Sequence, residues 1–289
     1  MPKSDWIITA HSNKEAIAAS VIKNQNLRKA FQIVTIEKIL NEYDIFDELT
    51  DKGPIIRWSQ NEEPVISNLS HVILNRVTYV PDRLFEKFTV EDREYAKREF
   101  EAYIGFSFNS FLGVANNCPK GLCGKIMSLP EQWHKIAQLS DVAVPKYYWG
   151  PSKFNSLKDI KSTIYSNIYQ YYNWSVKNSP INHEDSKTSH LFCFVRPVGT
   201  PVFVLTIGSK TLFTSQLSLP NTTKKRLIEI SKMAHLLLDS FISETLFFIG
   251  PETISFGCIN HEIIASKENS NFDTFVSFHL MNEFEKCLN

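Results

Sequence analysis

Side chains able to do chemistry are few in this 289-residue chain, and they fall at the ends of apolar stretches. Arg196 stands between two apolar strand candidates, where a guanidinium either meets a phosphate or snorkels at a sheet edge. Asn75 and Arg76 close another apolar run, a placement suited to binding a carboxylate of a substrate. Lys125 lies beside Gly124 in a loop and offers a phosphate contact of low specificity. His261 and Glu262 follow Asn260 and would suit a general base or a further ligand. Adjacent residues on a strand face opposite sides, so both could serve one site only from a loop.

Other chemistries find no support. The chain has no Gly-x-Ser-x-Gly elbow, no His-Glu-x-x-His helix and no Gly-x-x-x-x-Gly-Lys-Ser/Thr loop. Its eight histidines show no close metal spacing, and His235, inside an amphipathic pattern, reads as a packed residue. Cys118 and Cys123 are the nearest cysteine pair, without the second pair that a zinc site would need. Five cysteines in a chain of this length point to a reducing compartment. Thirty-one basic residues balance thirty-one acidic ones, which argues against a nucleic-acid footprint or a polybasic membrane surface. No apolar run approaches the roughly 20 residues that span a bilayer, and no signal peptide opens the chain, so a cytoplasmic location is expected.

Several elements must position these residues. Trp6–Ala10, Phe31–Thr35, residues 54–58 and residues 71–75 read as strands, with a helix over 14–23 capped from His11, Ser12 or Asn13. That spacing predicts an α/β layer with a mostly parallel sheet. Residues 89–108 read as a helix with a solvated charged face, and Leu129–Leu139 as a second helix with Pro130 in its first turn. After a boundary near residues 115 to 128 the character changes. Strands are expected over 163–174, 190–196, 201–207 and 211–216, and a loop over 178–189. An amphipathic helix over 221–241, capped by Asn221 or Thr222, precedes a hairpin of 244–249 and 253–259. The second half therefore reads as α+β with an antiparallel sheet. Tyr165, Tyr169 and Tyr171 would share one strand face and form either packing or a peptide-binding surface.

The order of short motifs carries a resemblance. Val72-Ile-Leu-Asn-Arg76 is followed by Tyr95-Ala-Lys-Arg-Glu99, Asn117-x-Pro119, Gly121-x-x-Gly124, Gln132-Trp-His-Lys-Ile-Ala137 and Val144-Pro145. Later come a helix, Glu244-Thr-Leu-Phe-Phe-Ile249 and Ile254-Ser-Phe-Gly-Cys-Ile-Asn260. This series resembles the ATP-grasp proteins, in particular the branch of ribosomal-protein glutamate ligases and ribosomal-peptide cyclising ligases. The resemblance implies an ATP-grasp-like chain, with an α/β N-terminal layer over 1–127 and an α+β antiparallel-sheet domain over 128–289. It also implies ATP and magnesium as cofactors, a peptide or small carboxylate as substrate, and formation of an acyl phosphate that an amine attacks. Asn260 and Glu244 would then ligate the metal, Lys125 and Arg196 would bind the nucleotide phosphates, and Arg196 would act in catalysis.

The family pattern is incomplete here. Where it has Glu-x-Asn, this chain has Cys258-Ile259-Asn260, and a thiol is a poor magnesium ligand. Glu244 lies one strand period from the expected acidic position. Residues 163–174 hold no lysine, 191–195 hold no glutamate, and no glycine lies between Gly150 and Gly199. Two functions are therefore expected: a divergent ATP-dependent carboxylate–amine ligase, or an inactive scaffold that binds a peptide or a partner enzyme.

Overall fold

The computed structural model describes residues 6–111, 127–151, 155–157, 160–169, 190–215, 217–238 and 240–288. Lys125, Cys118, Cys123, the Asn117-x-Pro119 motif, Tyr171 and the 178–189 segment lie outside them, as does most of the stretch expected to hold the domain boundary.

The chain begins with β1 (Trp6–Ala10), α1 (Ala16–Lys23), α2 (Gln25–Ala30), β2 (Phe31–Thr35) and α3 (Ile36–Glu42). It continues through β3 (Asp44–Thr50), β4 (Gly53–Gln60), β5 (Glu63–Ser67), β6 (Val72–Arg76) and α4 (Val90–Asn109). β2, β1 and β6 form a parallel sheet in that order, as the α/β spacing predicts. Residues 54–58 do not join it. They lie in β4, the centre of a separate antiparallel meander β3–β4–β5. Two-residue turns at Asp51-Lys52 and at Asn61-Glu62, the latter with both φ positive, fold these strands back on each other rather than across a helix.

α1 is also capped differently from expectation. Glu15 holds the N-cap, and its carboxylate accepts from the Ala18 N–H at 2.9 Å. The sheet is buried on both faces. On one face Ile7, Val34 and Ile73 pack with Ile56, Trp58 and Ile66 of the meander and with Ile104 and Phe108 of α4. On the other, Ile8 and Leu74 pack with Ile17 and Val21 of α1 and with residues from the far end of the chain.

The rest of the chain comprises α5 (Leu129–Leu139), β7 (Tyr147–Pro151), β8 (Thr163–Tyr165), β9 (His190–Val195), β10 (Thr200–Ile207) and β11 (Lys210–Thr214). It ends in α6 (Asn221–Leu237), β12 (Ile242–Ile249), β13 (Ile254–Asn260) and α7 (Phe272–Leu288). Two antiparallel sheets result, β7–β9–β8 and β11–β10–β12–β13, and the expected hairpin is β12–β13. β8 is only three residues long, so the expected strand over 163–174 is not continuous through its described part. α6 has Pro220 as its N-cap and no side-chain cap, in place of the expected Asn221 or Thr222.

α5 docks on β13 through two buried polar contacts: Trp133 Nε1 donates to the Gly257 carbonyl at 2.6 Å, and Gln132 Oε1 accepts from the Ile259 N–H at 2.9 Å. Leu227, Ile230, Ala234 and Leu238 of the α6 region pack on the same core as Phe247, Phe248 and Phe256. α7 then crosses back, and its Phe272, Val276, Leu280 and Phe284 join Leu205, Ile207 and Ile242 to the N-terminal sheet. The carboxyl end of β6 is thereby brought against the start of β12 and the end of β13. No helix among the described residues is long and apolar enough to cross a membrane.

Candidate functional site

β12 and β13 pair so that Glu244 stands opposite Asn260, with Cys258 opposite Leu246. Two residues singled out as metal ligands are thus neighbours on adjacent strands. Both are buried, Glu244 at 3% exposure and Asn260 at 6%.

Their polar atoms already have partners. Glu244 Oε2 accepts from the N–H groups of Ile264 and Ala265 at 3.0 and 3.2 Å, and Oε1 accepts from that of Ser266 at 2.6 Å. The three N–H groups belong to the turn that leads from β13 towards α7, and they supply the positive dipoles a buried carboxylate requires. Asn260 Oδ1 accepts from the Glu262 N–H at 3.2 Å. Burial and then the nearby Glu244 charge push the Cys258 thiol far up, so at neutral pH it stays protonated. Magnesium needs several free, hard oxygen donors. A carboxylate held by three N–H groups, an amide oxygen held by a fourth and a protonated thiol do not fit it. No group of three or more His, Cys, Asp or Glu placed to hold a metal occurs among the described residues.

Arg76 and Asn75 come to the same corner. Arg76 is 2% exposed, and its Nε and Nη2 donate to Glu15 Oε1 at 3.2 and 3.1 Å. Nη1 donates to the Ile242 carbonyl at 3.4 Å, and Nη2 also donates to the His261 carbonyl. The guanidinium therefore ties the end of β6 to the N-cap of α1, the start of β12 and the residue after β13. The carboxylate it binds is internal. Asn75 Oδ1 accepts from Thr9 Oγ1 at 3.2 Å and from the Val77 N–H at 2.9 Å, which shapes the turn after β6.

His261, 3% exposed, has its Nδ1 3.3 Å from Ser240 Oγ. Burial, Arg76 and His235 together lower its pKa well below the usual histidine value, so the ring is neutral at pH 7. His235 is buried as expected, with its Nδ1 2.8 Å from Ser243 Oγ. Glu15 completes this corner and was not among the sequence candidates. The Ser12-x-x-Glu15 spacing marks a helix start, but a partner 61 residues away leaves no local sign.

Arg196 sits elsewhere, between β9 and β10. Its N–H donates to the Ser162 carbonyl at 2.9 Å, and its guanidinium lies 5.6 Å from the centre of the Phe248 ring. Phe248 is four residues along β12 from Glu244, which at strand rise is roughly 13 Å. Close by, Gly199 has φ of +138°, and a Cβ there would lie 2.6 Å from the Ile249 carbonyl carbon, so only glycine lets the two backbones meet. The structure brings Glu244, Asn260, Asn75 and Arg76 to one buried corner and leaves Arg196 at the opposite, half-buried end of β12.

No protein-family model matches the chain, and no curated protein matches it. Solved structures do. Macrocyclase MdnC of Microcystis aeruginosa, bound with precursor peptide MdnA, is 13% identical over 96% of this chain and 99% of its own, with a TM-score of 0.67. A RiPP-associated ATP-grasp ligase of Chryseobacterium gregarium, in complex with ADP and a leader and core peptide, is 11% identical over 98% of this chain and 97% of its own, with a TM-score of 0.66. The VanG D-Ala:D-Ser ligase of Enterococcus faecalis is 12% identical over 99% of both chains, with a TM-score of 0.58. From β1 to α7, this chain has the ATP-grasp ligase fold.

Proposed function

We propose that this chain is a peptide-binding protein on an ATP-grasp fold that does not run ligase chemistry through Glu244 and Asn260. The observation that carries this reading is the Glu244 carboxylate, whose two oxygens accept three backbone N–H groups inside the protein. In this reading an acidic side chain one strand period from the expected metal position serves as an internal support for the turn between β13 and α7. Peptide binding is supported by MdnC, bound with a precursor peptide, and the Chryseobacterium ligase, in complex with a leader and core peptide, both on the same fold. Tyr169, exposed, and Tyr165, half-buried, remain candidates for a peptide surface. Among the described candidates, Arg196, half-buried against Phe248, is a cation placed to meet an anionic group of a ligand.

The pairing of Glu244 with Asn260 favours a second reading, a divergent ATP-dependent carboxylate–amine ligase whose turn after β13 opens to admit magnesium and ATP. Calorimetric titration with ATP, with and without magnesium, separates the two. The scaffold reading expects no magnesium-dependent heat. Magnesium-dependent binding that disappears in Asn260→Ala would overturn it in favour of the ligase.

A further inference from the structure

The two outer strands of the β3–β4–β5 meander are finished differently. β5 is five residues long, contains Pro64 and pairs with β4 across a register shift between Trp58 and Ser59. Proline and a bulge both blunt a sheet edge. β3 has neither. Its seven residues pair with β4 in unbroken register from Asp44 opposite Ser59 to Thr50 opposite Gly53, and no described strand lies on its other side.

The side chains of this regular edge stand open, with Leu49 84% and Phe46 55% exposed. Asp44, Asp47 and Glu48 make the strand acidic, and it contains no basic residue. Alternation puts Asp44, Phe46 and Glu48 on one face and Ile45, Asp47 and Leu49 on the other. Asp47 Oδ1 accepts from Tyr103 Oη of α4 at 2.8 Å. Asn68 Nδ2 donates to the carbonyls of both Pro54, the partner of Leu49, and Ser110, just past α4. The carboxyl end of α4 therefore runs beside the turn end of β3, and exposed Phe106 extends the ledge begun by Tyr103.

We infer that β3 is the docking edge for an extended basic peptide, which adds a strand to the meander through main-chain hydrogen bonds. Its lysines or arginines lie on the face of Asp44 and Glu48, and its alternate apolar side chains lie over Leu49 and the α4 ledge. A second copy of this chain is the poorer occupant. Self-pairing brings two acidic strands together, and an antiparallel pair centred on Asp47 sets that carboxylate against its own copy. This edge is separate from the buried corner at Glu244 and stands or falls independently of the function proposed there.

The test mixes the full chain with a short acetylated and amidated peptide alternating lysine and valine, and uses the glutamate–valine peptide as control. Binding is read by fluorescence anisotropy and located by amide hydrogen exchange. Residues 44–50 should gain protection with the basic peptide, and added salt should weaken binding. The double variant Asp44→Lys/Glu48→Lys, at exposed positions, should weaken binding by about tenfold or more, and Leu49→Lys should weaken it in the same direction. No protection at 44–50, equal binding of the acidic peptide, or unchanged affinity in both variants would overturn the assignment. So would a dimer of the free chain that the double variant dissolves, which would give the edge to a second copy.

Discussion

The two ends of β12 are built in opposite ways. At Glu244 the charged groups are turned to other parts of the chain: three N–H groups on the carboxylate, and Glu15 and two carbonyls on Arg76, beside a neutral buried His261. At Phe248, by contrast, a half-buried arginine lies over an aromatic face and Gly199 lets two backbones touch. Charge at the first end is matched internally and contributes to cohesion. Charge at the second end stays partly in water, where it adds little stability. One strand pair thus carries an internally matched end and a more exposed one.

The largest effect expected at the closed end comes from Arg76→Ala. It leaves Glu15 buried without its counter-charge and frees the Ile242 and His261 carbonyls, and it should cost about 3–5 kcal/mol in urea unfolding. A loss under about 1 kcal/mol would mean that the corner is looser than its geometry. Glu244→Gln comes next. Its amide turns a donor towards at least one of the three N–H groups, so about 2–3 kcal/mol should be lost.

At the open end, Gly199→Ala should cost about 2 kcal/mol, because φ of +138° and the contact with Ile249 both penalise a Cβ. Acidification probes the closed end again. His261 has a folded pKa below its unfolded value, so the unfolded chain takes up the proton first. Stability is therefore full above about pH 6.5 and falls as pH drops below it, by up to about 1.4 kcal/mol per unit. His11 and His279 shift the same way and add to the slope. His261→Phe should flatten the stability profile between about pH 6.5 and 5 relative to the parent chain. The smallest effect belongs to Arg196→Ala, which should change stability by less than about 1 kcal/mol. Its effect should appear in the binding of an anionic ligand, and a large loss of stability would place Arg196 with the closed end.

Local pattern carried much of the fold. The charged face of α4, Pro130 in the first turn of α5 and the apolar β12–β13 hairpin all match the expected elements. The meander was half legible. β4 is apolar enough to read as a strand, but which sheet it joins depends on partners that periodicity does not encode. β3 reads Asp-Ile-Phe-Asp-Glu-Leu-Thr, and an acidic edge with most side chains in water lacks the apolar signature of a strand.

The residues of the buried corner could be singled out in the sequence, and their partners within the chain could not. Arg76 was read as a binder of a substrate carboxylate, and the carboxylate it meets within the fold is that of Glu15. Glu244 was expected as a metal ligand, and its carboxylate is buried in the fold. Its partners are backbone N–H groups of Ile264, Ala265 and Ser266, which no side-chain motif announces.

Equilibrium urea unfolding of the parent chain and of Glu244→Gln, each with chelator and with excess magnesium and ATP, separates a structural carboxylate from a metal ligand. Glu244→Gln should lower the midpoint by the same amount in both conditions, and magnesium with ATP should leave the parent midpoint unchanged. A parent midpoint raised by magnesium and ATP, with the increase abolished in Glu244→Gln, would show Glu244 to be a metal ligand and overturn its structural role.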